Sequence, residues 1–282
     1  MTSDLLPVDA ITVDGVRCPL LTAGPSDADE AVVFVHGNPG PGEDWRRLVT
    51  ASGRFARAVA FDLPGYGGAD KPADFPYTVE GYARHLGRML DHLGIRRAHL
   101  VLHDFGAPWG LAWGAAHPDR LASVTLINMG VLRDYRWHYL ARIWRTPVLG
   151  ELFLRTTTLP ALRLLLRHGN PRGLPRDFQR RVHRDLTDRG VQRAILRLYR
   201  ATDVVALGDE LHDALRRLDL PALVVWGARD PYVPVRYAGR QHDTFPRAEI
   251  VILDDSGHWP MIDDPVGVEV PVLAFLRRQV TA

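Results

Sequence analysis

The chain of 282 residues is poor in cysteine: Cys18 is the only one, so no disulfide can close within it. Such usage fits a reducing compartment. Long hydrophobic runs are missing too. None approaches the ~20 apolar residues of a bilayer-spanning helix, so membrane insertion is not expected. Charge of one sign is absent as an excess, because 35 Lys and Arg stand against 33 Asp and Glu. A net charge this small implies no strong field for nucleic acid or a membrane. Met1-Thr2-Ser3-Asp4 lacks the basic start and apolar core of a signal peptide, so a cytoplasmic location is the expectation. No repeat, low-complexity tract, metal site or organic cofactor site is visible in the sequence.

What is present is an alternation of short apolar runs with helical patterns. Val32-Val33-Phe34-Val35, Ala58-Val59-Ala60-Phe61, Ala98 to Leu102 and Val124 to Ile127 read as strands, and the αβ pattern returns at Leu220 to Val224. Tyr82 to Leu93 reads as a helix with Leu86, Met89, Leu90 and Leu93 on one face. This alternation predicts an α/β fold, a mostly parallel sheet with helices on both faces. The pattern changes near Val131. From there to Leu207 no strand is predicted, and Leu, Arg and aromatic residues recur at helical spacing between Pro147, Pro160, Pro171 and Pro175. The expected organisation is a core of residues 1–130 and 208–282 carrying an all-helical insert of residues 131–207.

The strand from Ala98 runs into His103-Asp104-Phe105-Gly106 and then into a small-residue helical pattern. A carboxylate raised at such a turn suits attack at saturated carbon, which leaves an alkyl ester on the enzyme. Attack on an ester carbonyl would mostly expel the carboxylate again. Epoxides and alkyl halides are therefore the substrates suggested. Asp is also a favoured helix N-cap, so position alone does not assign this role. Further along, Val224 to Asp230 is an apolar run ending in an acid, and His258 follows Ser256-Gly257 in a turn-rich loop.

The strand-to-helix turn at Asp104 resembles the nucleophile elbow of the α/β-hydrolases, and nucleophile, acid, histidine is their chain order. His36-Gly37-Asn38-Pro39-Gly40 resembles their oxyanion loop, and Asp62 to Pro72 resembles the loop after the next strand. Together the matches run from Val32 to Pro265, apart from the insert. The resemblance is to the aspartate-nucleophile branch, the epoxide hydrolases and haloalkane dehalogenases, whose insert forms a cap or lid. It implies Asp104 as nucleophile, His258 as activator of water and Asp230 as the acid orienting it. It also implies the backbone N–H groups of Asn38 and Phe105 as an oxyanion hole. The rival acid position, after the strand ending at Ile127, holds Asn128, and Asp134 is a distant competitor.

The leaving group divides the two families. Dehalogenases of this type follow the nucleophile with a tryptophan that binds halide, whereas Phe105 has no donor. Trp109 is a possible substitute, and Asn38 matches a second halide donor. Epoxide opening needs a proton donor, and Leu198-Tyr199-Arg200 resembles the cap tyrosine of epoxide hydrolases. Tyr135, Tyr139, His138 and His36 are further candidates to contact substrate. Trp137, Trp144, Phe153, Leu159 and Leu162 suggest an apolar cap lining. The expected partners are a small apolar epoxide or alkyl halide and water. An epoxide hydrolase is favoured, a haloalkane dehalogenase is the alternative, and a non-hydrolytic scaffold is the reading of another class.

Overall fold

In the computed structural model, residue 6 and residues 8–280 are described, so Met1 to Asp4 lie outside them. The strands are β1 (Val8–Val13), β2 (Val16–Ala23), β3 (Glu30–Val35), β4 (Arg57–Phe61), β5 (Arg97–His103), β6 (Leu121–Ile127), β7 (Ala222–Gly227) and β8 (Glu249–Leu253). They form one sheet in the order β1-β2-β4-β3-β5-β6-β7-β8. The pairs β1–β2 and β2–β4 are antiparallel, and the remaining pairs are parallel. Val32 to Val35, Ala58 to Phe61 and Val224 to Trp226 have no exposed surface. Continuous apolar runs of this kind belong to a sheet covered on both faces.

The α-helices among the described residues begin with α1 (Arg46–Ser52), α2 (Val79–His92) and α3 (Gly106–Ala116). Next come α4 (Tyr139–Arg145), α5 (Leu149–Thr156), α6 (Leu159–Gly169), α7 (Arg176–Thr187), α8 (Arg189–Ala201) and α9 (Val204–Leu215). The last are α10 (Arg236–Arg240), α11 (Pro260–Asp263) and α12 (Pro265–Gln279). Helix α2 starts a turn before the predicted Tyr82, because Thr78 caps it by accepting from the Gly81 N–H. Helices α4 to α9 all fall between β6 and β7, with no strand of the sheet among them. The last runs past Leu207 to Leu215.

The chain passes from β3 outward to β4 and then back across to β5 on the other side of β3. A crevice opens at the carboxyl ends of strands where such a reversal occurs, and ligands bind there in open α/β sheets. The loop after β3 and the turn after β5 meet at that point. Among the described residues no helix is long and apolar enough to cross a membrane.

Candidate active site

Asp104 follows β5 with φ 48°, a left-handed conformation that is uncommon for residues other than glycine. The turn needs space on both sides. A Cβ on Gly37 would come within 2.3 Å of the Asp104 Cβ, and one on Gly106 within 2.4 Å of the Val35 carbonyl oxygen. Glycine at both positions lets the two loops touch. Asp104 Oδ1 then accepts the Asn38 backbone N–H at 2.7 Å, and the Phe105 N–H supports the same carboxyl. Burial raises the Asp104 pKa above the ordinary carboxylate range, although His258 and these two N–H groups act the other way.

His258 lies after β8 with Nδ1 2.8 Å from Asp230 Oδ2 and Nε2 3.6 Å from Asp104 Oδ2. The short contact puts the ring proton on Nδ1, donated to Asp230, and leaves the Nε2 lone pair facing Asp104. Burial works to lower the His258 pKa, but Asp230, through charge and hydrogen bond, and Asp104 together hold it above the usual value. Asp230 is fixed from its other side. Its Oδ1 accepts the N–H groups of Tyr232 at 2.7 Å and Val233 at 3.1 Å.

Two residues that the sequence did not mark as functional complete this arrangement. Asn128, at φ 48° after β6, donates from Nδ2 to Asp230 Oδ2 at 2.8 Å. The rival acid position thus supports the acid after β7. Asp134 is on the surface, paired with Arg240. His103, just before Asp104, is buried with Nε2 2.8 Å from the His258 carbonyl oxygen. The only sequence signal for either was adjacency to a strand end.

A cavity of about 50 Å³ opens over Asp104 and His258. Asn38, His138, Thr157, Tyr199 and Tyr232 are among its other polar groups, and Trp144, Phe153 and Leu162 are among its apolar walls. Burial and the Asp104 charge push the Tyr199 hydroxyl well above 10, so it stays protonated. The Asn38 side-chain amide lies near that hydroxyl but makes no well-aligned hydrogen bond. His138 Nδ1 accepts from the Ala141 N–H at the start of α4, and burial lowers its pKa to about 3. It is therefore a neutral ring with its proton on Nε2.

Four expected contact residues are not brought to this cavity. His36 is buried beneath the loop, where Nε2 accepts the Leu63 N–H at 2.9 Å and Nδ1 meets the Gly37 carbonyl. Trp109 has no exposed surface and stacks on Tyr82 at 4.2 Å, so its indole N–H cannot serve a halide here. Tyr135 spends its hydroxyl on the Tyr232 carbonyl and lines a separate cavity of about 30 Å³ with Phe105 and Trp137. Tyr139 points outward, 39% exposed, against Tyr232 and His168. Of the expected apolar lining, Trp137 and Leu159 are likewise not part of the main cavity.

Residues 30–265 match the family model of the alpha/beta hydrolase fold. A cis-3-alkyl-4-alkyloxetan-2-one decarboxylase of Xanthomonas campestris pv. campestris is 31% identical over 287 residues, covering 94% of this chain and 93% of the relative. A haloalkane dehalogenase of Agrobacterium fabrum is 41% identical over 103 residues, which is 36% of this chain and 33% of the relative. The crystal structure of the haloalkane dehalogenase DatA of Agrobacterium tumefaciens superposes with a TM-score of 0.84 at 24% identity, covering 98% of each chain.

Proposed function

Since the chain belongs to the alpha/beta hydrolase fold family, we propose that it is a hydrolase working through an alkyl ester on Asp104, and that it opens epoxides to diols. The observation that carries this reading is the protonated Tyr199 hydroxyl, which lines the same cavity as Asp104 and His258. Helices α4 to α9 would act as the cap that closes this cavity from water.

Asp104 Oδ1 is already held by the Asn38 N–H, so Oδ2 is the attacking atom. It forms a bond to a ring carbon as that carbon's bond to the epoxide oxygen breaks. The leaving oxygen is an alkoxide and needs a proton, which Tyr199 supplies. Next, His258 Nε2 takes a proton from water, and the hydroxide adds to the Asp104 ester carbonyl. The oxyanion forms on Oδ1, which the Asn38 N–H already holds, with the Phe105 N–H at the same carboxyl, so little reorganisation is required. Collapse releases the diol, whose departing oxygen takes the proton from His258. The water oxygen and its second proton stay on Asp104 as a carboxylic acid, which loses that proton to solvent as the Tyr199 phenolate regains one.

Halide release is the second reading. The Asn38 side-chain amide is a buried, unbonded donor at the cavity, suited to a leaving anion. The Xanthomonas relative, by its name, acts on an oxetan-2-one. That strained ring can leave as a carboxylate, which needs no added proton. A panel of epoxides, bromoalkanes and an oxetan-2-one separates these readings. His258→Gln should trap the substrate as a mass increase on the peptide holding Asp104. Tyr199→Phe should slow alkylation by epoxide about 10²–10⁴-fold and by bromoalkane far less. Bromide release or oxetanone turnover with no diol from any epoxide would reverse the choice of leaving group. Oxygen-18 from labelled water appearing directly in the product of a first turnover would end the covalent reading.

A further inference from the structure

The near-neutral total charge hides a division of the chain. Residues 139–201 carry fourteen arginines against four carboxylates, although the whole chain is balanced at 35 to 33. Arg145, Arg181, Arg193, Arg197 and Arg200 bond within the fold. Arg155, Arg163 and Arg167 are exposed on α5 and α6 and have no ion pair among the described residues.

Those two helices are apolar on opposite faces. Leu154 on α5, and Leu162 and Leu166 on α6, turn inward to wall the cavity. Leu152 and Leu164 turn outward, 56% and 72% exposed. A helix that packs on one side needs one apolar stripe, so folding does not account for the second. The residue before α5 is more telling. Val148 is 77% exposed at φ 69° and ψ −48°, and the Leu149 N–H closes a three-residue turn on the Pro147 carbonyl at 2.8 Å. A β-branched residue is unfavourable in that conformation, yet the turn holds this one out in solvent. Arg155 falls one helical turn after Leu152, and Arg167 one turn after Leu164, so each cation shares its leucine's face.

We propose that the outer face of α5 and α6, with the Val148 turn, docks on an anionic lipid surface and lets the cavity take apolar substrate from the bilayer. Guanidinium groups beside outward leucines match lipid phosphates above an acyl layer. Nucleic acid is the poorer fit, since the side chains between Arg163 and Arg167 are leucines and offer no stacking platform for bases. The proposal does not depend on the nucleophile or the leaving group, so it can fail while the covalent mechanism stands.

The test is flotation of the full chain with vesicles of phosphatidylcholine alone and of equal parts phosphatidylcholine and phosphatidylglycerol. Binding is expected only with phosphatidylglycerol, weakening as salt rises. Leu152→Ser with Leu164→Ser, and separately Arg163→Glu with Arg167→Glu, should each lower it at least about tenfold. Both pairs should keep the parent melting temperature and the turnover of a water-soluble epoxide or bromoalkane. Should a pair melt lower, Leu164→Ser alone at the most exposed leucine supplies the same comparison. No flotation with phosphatidylglycerol, or binding that the serine substitutions leave unchanged, overturns the proposal. Binding to duplex DNA as tight as to the vesicles and equally indifferent to those substitutions also overturns it, because charge alone would then account for attraction.

Discussion

Asn128 stands at one strand end and Asp230 beyond the next, and an amide proton joins them. With the Tyr232 and Val233 N–H groups, Asp230 has donors on both oxygens before His258 is counted. That support keeps the carboxylate aimed, so the imidazole holds one tautomer. Asp104, Asp230 and His258 were legible in the sequence because each ends a local pattern, an apolar run or a turn-rich loop. The support was not legible, since Asn128 reaches Asp230 across 102 residues and His103 reaches His258 across 155. The same residues set the expected response to pH. His258 must be neutral to take a proton from water, so ester hydrolysis should be lost as pH falls through its pKa, which Asp230 and Asp104 together raise in the free enzyme. Alkylation removes the Asp104 charge and with it part of that rise, so the ester-bearing enzyme should titrate lower than the free one. Rapid-quench mass spectrometry across pH should show ester accumulating on the acid side. Ester accumulation on the alkaline side instead would exclude His258 as the base.

The helices between β6 and β7 also hold the histidine loop. At the end of α6, the Gly169 carbonyl accepts the His258 N–H at 2.9 Å, and Asn170 Oδ1 accepts the Trp259 N–H at 2.8 Å. Asn170 has no exposed surface, and its Nδ2 caps the helix at the Leu166 carbonyl. Asn170→Ala would leave the Trp259 N–H buried without a partner, a cost of about 1–3 kcal/mol. The melting temperature should fall accordingly. Ester hydrolysis should slow more than alkylation, since the loop carries His258 and not Asp104. Equal slowing of both steps would count against this division. Elements of the interior were readable because β3 to β7 are continuous apolar runs. The edge strands β1 and β8 were not, because edge strands are half exposed and alternate weakly. Prolines marked the breaks in the helical segment well, with Pro160 in the first turn of α6.

Core and helical segment share one hydrophobic interior. Ala194, Ile195 and Leu198 of α8 have no exposed surface, and they belong to the same buried cluster as Phe34 and Leu102 of the sheet. Tyr199 and Phe105 meet edge-on at 4.9 Å, so aromatic contact continues from α8 to the turn at Asp104. A segment with its own core could melt separately, whereas one that borrows its interior cannot keep it when the sheet unfolds. This sharing was not legible in the sequence, because the periodicity of α8 shows an apolar face but not what covers it. Equilibrium unfolding should therefore be a single transition. Far-UV ellipticity, to which α4 to α9 contribute heavily, and fluorescence from the tryptophans should give the same midpoint in denaturant. Two midpoints, with helical signal lost first and Trp226 in β7 still buried, would mean that the segment folds on its own account. Removing residues 131–207 would then leave a stable sheet, whereas a shared interior predicts that the shortened chain is insoluble, since the apolar side chains facing α8 lose their cover.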